Sequence, residues 1–121
     1  MGRHKLPPRR PSITRDVVWK RVNGEHRFSV TIGLDPATGR VREVFASGAR
    51  GSDMEATISD YCVTLSHLLQ HGADARLLSS SMLKITDPSS GGDLELHASV
   101  LGAIAACVAD AVVSIGRGDR S

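Results

Sequence analysis

Residues 16–33 read DVVWKRVNGEHRFSVTIG, and the rhythm of this stretch decides what kind of fold the rest of the chain must complete. In its second half Phe28, Val30 and Ile32 are apolar while Arg27, Ser29 and Thr31 are polar, so one face of a strand meets a core and the other meets water. The first half is rich in residues that suit strands, and Asn23-Gly24 supplies the φ > 0 pair that a two-residue type I′ hairpin turn requires. Strands are therefore expected over about 16–22 and 26–33. DPATG, from Asp35 to Gly39, is turn chemistry: Pro36 presets φ and Gly39 can take a left-handed conformation. RVREVFA then resumes as a third strand over about 41–47. With no crossover helix between them, the three strands form an antiparallel meander.

Beyond the sheet the period changes. Ser52 and Glu55 make the S-x-x-E capping box, which starts a helix over about 52–71. Met54, Ile58, Tyr61, Cys62, Leu65, Leu68 and Leu69 recur at spacings of three and four, one apolar stripe to lie on the sheet, and Gly72 is placed to end the helix in a left-handed cap. A shorter helix over about 74–83 would pack through Leu77, Leu78, Met82 and Leu83, before TDPSSGGD breaks the chain at 86–93. The last helix, about 94–115, is apolar over much of its circumference and small-sided at Gly102, Ala103, Ala105 and Ala106, as where helices approach closely. Such a helix needs cover from the first helix or from a second copy, so a homodimer through 94–115 is an expected association. The fold class is α+β, with the helices packed on one face of the meander.

A chain of 121 residues allows one modest domain, and only 3% aromatic residues means a core built from Val, Leu, Ile and Ala. The opening MGRHKLPPRRPSITR carries five Lys or Arg and three Pro, so residues 1–15 read as a basic flexible arm and 16–121 as the domain. Net charge is a modest +2, but it is unevenly spread: residues 1–27 hold eight Lys or Arg and two acids, whereas 87–110 hold four acids and no Lys or Arg. The N-terminus has Lys, Arg and Pro where an apolar signal segment would be needed, which points to the cytoplasm. The apolar run at 94–115 is nearly of transmembrane length, yet Glu95, His97 and Asp110 interrupt it, and no membrane span is expected.

Residues able to carry chemistry are few. At the GARGS turn, Arg50, Gly51 and Ser52 precede a helix N-terminus whose free amides and dipole favour an anion, making them candidates to hold a phosphate. The run lacks the P-loop Lys-Ser/Thr pair and the G-x-G-x-x-G spacing, so a plain capped turn is the competing reading. His67 and His71 stand four apart on one helix face, a spacing that can hold zinc, but no third ligand is evident and complementation of the helix dipole competes. Cys62 and Cys107 each sit in an apolar helical pattern and read as reduced core thiols. Asp53, Glu55 and Asp60 belong to the first turns of a helix, where negative charge is stabilising. Arg3, Lys5, Arg9, Arg10 and Arg15 could contact nucleic-acid phosphates or an acidic protein, without aromatic residues in the arm to stack on bases. No catalytic residues and no metal ligands are assigned.

The order of motifs resembles the TSCPD domain found near the C-terminus of adenosylcobalamin-dependent (class II) ribonucleotide reductases. Leu6, Pro7, Arg9 and Arg10 match its Leu-Pro-x-Arg-Arg segment; Gly39, Glu43, Val44 and Phe45 match its strand; Gly51 matches its turn glycine; and Leu65, Leu69 and Gly72 match its helix end. The resemblance covers roughly residues 5–83. The Thr-Ser-Cys-Pro-Asp run that names the family is absent, as are the radical-bearing barrel, its active-site cysteines and a cobalamin site. The resemblance implies an accessory domain working with a class II reductase chain, linked to deoxyribonucleotide synthesis, without catalysis or a cofactor of its own; adenosylcobalamin would belong to the partner. Two further readings are a small nucleic-acid-binding or regulatory protein using its basic arm, and a ligand-free homodimeric scaffold.

Overall fold

The computed structural model describes residues 11–48, 53–92 and 94–116. Three strands, β1 (Ser12–Arg21), β2 (Gly24–Leu34) and β3 (Val41–Ser47), form an antiparallel sheet in the order β1-β2-β3. Helix α1 (Asp53–Gln70) follows, then a short α2 (Ala75–Ser80). A second, two-stranded sheet pairs β4 (Lys84–Thr86) with β5 (Glu95–His97) before α3 (Val100–Gly116) ends the described chain.

The alternation in β2 plays out as expected. Phe28, Val30, Ile32 and Leu34 are buried on one face together with Val17 and Trp19 of β1 and Val44 of β3. The other face is polar and open, with Thr14 and Thr31 hydroxyls 3.1 Å apart and Ser29 donating to Asp16 at 3.2 Å. Asp35 is buried in the β2–β3 turn, where its carboxylate accepts from the Ala37 amide at 2.9 Å; Gly39 takes φ +74, as its place in the turn demands.

Several boundaries differ from the sequence reading. β1 begins at Ser12, because β2 is long enough to pair with every residue from Ser12 to Arg21, so the four residues before Asp16 belong to the sheet and not to an arm. The first hairpin is closed by Val22 and Asn23 between the paired Arg21 and Gly24; neither of the two has positive φ, so the type I′ turn is not formed and only Gly24 beside them does, at φ +139. The expected helix over 94–115 begins only at Val100. Its first residues pair as β5, Leu96 opposite Ile85, and Ser99 then caps α3 by accepting from the Gly102 amide at 3.2 Å.

α3 is the centre of the molecule. Ile104, Val108 and Ala111 are wholly buried, Ala103 and Ala105 nearly so, with the helix touching all three strands of the large sheet and α2. Burial of such side chains contributes about 1.5–3 kcal/mol each for the larger ones. The chain itself thus covers this helix, and no second copy is required to do so. Gly102 makes room not for another helix but for His97: a Cβ there would lie 3.3 Å from the imidazole Nδ1. α2 packs on α3 through Ala75 and Leu78, leaving Leu77 and Leu83, expected in the core, exposed; Leu68 of α1 is exposed as well.

Candidate functional site

Of the residues singled out by sequence, Arg50, Gly51 and Ser52, and with them the capping box, lie outside the described residues, as do Arg3, Lys5, Arg9 and Arg10. Gly48, at the threshold of that junction, takes φ +100, and a Cβ there would lie 3.4 Å from the Phe28 backbone. Arg15 is not an arm residue. It sits in β1 opposite Val30, on the core-facing side, near enough to Cys107 for its charge to oppose the rise of the thiol pKa that burial causes. Its Nε and Nη2 are buried without a hydrogen-bond partner, a placement unlike that of a phosphate-seeking side chain on a mobile arm.

The first helix buries its apolar stripe, Ile58, Cys62, Leu65 and Leu69, in the core as expected, and it does so while running along the open edge of β3. On α1, Cys62, Ser66 and Gln70 are four residues apart, about 6 Å of helix per step. On β3, Ala46, Val44 and Arg42 are two apart, about 6.6 Å of strand per step. The two periods nearly match, and the residues meet in order. The Cys62 sulfur faces the Ala46 backbone; the Ser66 hydroxyl accepts from the Val44 amide at 2.8 Å and donates to the Val44 carbonyl at 3.0 Å; Gln70 Nε2 donates to the Arg42 carbonyl at 2.9 Å. α1 therefore occupies the place of a fourth strand, with side chains doing what a neighbour's backbone would do, and closes an edge that is otherwise open to pairing. The sequence signal was Ser66 itself, a polar residue inside the stripe that Cys62, Leu65 and Leu69 define.

Between these elements lies a groove of about 310 Å³, with Glu43, Phe45, Val63 and His67 at its mouth. Cys62 lines it, but burial pushes its thiol up to about 11, countered only in part by the Ala46 backbone, so the thiolate a nucleophile needs is scarce at neutral pH. Both cysteines are free, as read from the sequence. His71 Nδ1 lies 2.8 Å from the His67 carbonyl, where its N–H can donate to the C-terminal end of α1. Among the described residues no three His, Cys, Asp or Glu side chains gather where they could hold a metal ion.

A larger cavity, about 620 Å³, opens at the turn end of the sheet, where the β2–β3 turn, the end of α1 and the end of α3 converge. Its floor is Val41, Leu69, Val112 and Ile115; Thr38, Arg40, Arg42 and Asp74 form the rim. The strand shifts register here, Gly33 pairing with Glu43 but Leu34 with Val41, so Arg42 is the extra residue of a bulge. That bulge aims its guanidinium at α1, where Nη1 donates to the Leu69 carbonyl at 2.7 Å while Nε stays buried and unpartnered. A Schellman-type ending, with the Ala73 amide on the Leu68 carbonyl at 3.0 Å and Gly72 at φ +90, holds the helix end in place as the Leu-x-x-Gly spacing predicted. The sequence reading did not pick this cavity; Arg40-Val41-Arg42 straight after the Gly39 turn was its signal.

Comparison with known proteins adds one positive finding. The family model described as TSCPD domain matches residues 3–112, a longer span than the motifs alone covered. No curated protein and no solved structure matches. No helix of the described residues is long and apolar enough to cross a membrane.

Proposed function

The chain belongs to the TSCPD domain family, and from that membership we propose that it serves ribonucleotide reduction as an accessory module that binds a partner and performs no reaction of its own. The family is linked to ribonucleotide reductases. The observation that carries the reading is the extent of the match: residues 3–112 are the domain, so nearly all of these 121 residues are accounted for by a unit that in this architecture holds no barrel. The thiols support it. Reduction of a ribose 2′-hydroxyl in that enzyme class calls for a thiyl radical and a reducing cysteine pair, and Cys62, on a buried helical face with its ionisation suppressed, suits structure better than chemistry.

In this reading the partner is the catalytic chain of an adenosylcobalamin-dependent reductase in the same cytoplasm, and adenosylcobalamin resides there. The test is retention of host-lysate proteins on the tagged chain at moderate salt after nuclease treatment, followed by titration of the purified protein into the identified reductase. Recovery of that reductase and saturable association support the proposal, together with no ribonucleotide turnover by the isolated chain. Turnover by the isolated chain overturns it. So does retention that nuclease abolishes, which would move the function to nucleic acid.

A further inference from the structure

We propose that the cavity at the turn end of the sheet binds a small amphipathic anion, a molecule with a flat or branched apolar body and one terminal carboxylate or phosphate. The inference goes beyond the accessory-module reading and does not depend on it. At about 620 Å³ the cavity lies within the range of small-molecule sites, roughly 300–1,000 Å³. Its floor is aliphatic, contributed by three separate elements through Val41, Leu69 and Val112, and an apolar body is what such a floor accepts in exchange for water.

The rim supplies the charge. Arg40 is exposed and makes no ion pair with any described residue, so its guanidinium is free to take an oxyanion in the two-pronged geometry that carboxylate and phosphate share. Arg42 is held by the Leu69 carbonyl and adds a second, fixed positive group to the same wall. The one acid at the rim, Asp74, already accepts from the Arg76 amide at 2.9 Å as the cap of α2. Two guanidinium groups against one engaged carboxylate leave the lining positive, which selects an anion over a cation or a neutral molecule.

The test is an NMR and calorimetric titration of the full chain with indole-3-acetate, phenyl phosphate and the uncharged indole-3-acetamide. Saturable binding of either anion supports the proposal if shift changes cluster at residues 38–42, 69–74 and 112–115 and the amide binds at least about tenfold more weakly; which anion binds tells a carboxylate ligand from a phosphate one. Arg40→Gln is expected to remove most of that difference while leaving the melting temperature unchanged, because the side chain is exposed; Arg76→Gln, which is off the cavity lining, is expected to change nothing. Equal binding of amide and anion overturns the proposal. Shift changes elsewhere, or no saturation in the millimolar range, do so too.

Discussion

Two long helices bury apolar stripes in one core, but only one of them also hydrogen-bonds the sheet's backbone. α3 crosses its buried face and is held by shape: Ile104, Val108 and Ala111 have no exposed surface and no hydrogen bond to the strands beneath them. α1 runs beside the edge strand and adds address to shape: Ile58, Leu65 and Leu69 are buried in the core, while Ser66 and Gln70 bond particular backbone groups of β3. Apolar burial is non-directional and tolerates small shifts, whereas a hydrogen-bonded seam fixes register, because a slip of one residue on either side would strand a buried amide or carbonyl. Both interfaces bury apolar side chains; the seam of the second also decides how far the sheet extends.

The largest expected effect breaks the first interface. Ile104→Ala removes a wholly buried side chain at the centre of α3, where strands and helix enclose the space on every side and little can collapse into it. The expected loss is about 2–5 kcal/mol, with a fall in melting temperature on the order of 10 °C. Denaturant unfolding should show it as a lower midpoint with an unchanged slope. A loss below about 1 kcal/mol would mean that α3 is not the shared core of the molecule.

The seam should fail differently. Ser66→Ala leaves both the amide and the carbonyl of Val44 without a partner at a buried site, an expected cost of about 1–3 kcal/mol. Because α3 and the rest of the sheet are untouched, the opening should be local: hydrogen exchange at Val44 and its β3 neighbours should quicken more than exchange at Ile32 or Val30 of β2. If exchange rises evenly across the sheet, seam and core are one cooperative unit and the contrast drawn between the helices is lost. The freed edge would also be open to pairing, so self-association that rises with concentration in the variant, and not in the parent, is a second readout.

The same contrast explains what could be read from sequence. The face of β2, the stripe of α1, the turn at Gly39 and the ending at Gly72 were legible because each is a local pattern: a period, or a residue type that one backbone conformation requires. The start of β1 was not, since Pro11 and the charges around it resemble an arm and only the length of β2 shows that residues 12–15 have a partner. β4 and β5 were missed because three-residue strands carry no period, and because Leu94 and Leu96 stand directly before the apolar run of α3 and read as its first turn. The candidate site was the least legible part. Arg50, Gly51 and Ser52 follow from turn chemistry alone, whereas the cavity beside Arg40 and Arg42 is assembled from residues more than seventy positions apart, Thr38 to Ile115, and the local Arg40-Val41-Arg42 run marks only one wall of it.

The smallest effect probes a third interface that mixes the two kinds. The β4–β5 hairpin is joined to the large sheet by the Trp19 indole, which donates to the His97 carbonyl at 2.9 Å, while the His97 ring packs over Gly102 with Nδ1 buried and unpartnered. Burial, and secondarily the charge of Lys84 across the hairpin, hold this imidazole below its ordinary 6.5. A histidine depressed in this way contributes its stability in full above about 6.5, where both folded and unfolded chains leave it neutral. As pH falls below that value the unfolded chain takes the proton first, so stability declines until pH has passed through the folded pKa and then levels off. The melting temperature of the parent should therefore drop more steeply between neutral pH and about pH 5 than that of His97→Gln, by less than either substitution above because one side of the ring reaches water. Parallel profiles would show that the ring is not desolvated enough to matter, and that the Trp19 hydrogen bond and packing hold the hairpin without help from the imidazole's charge state.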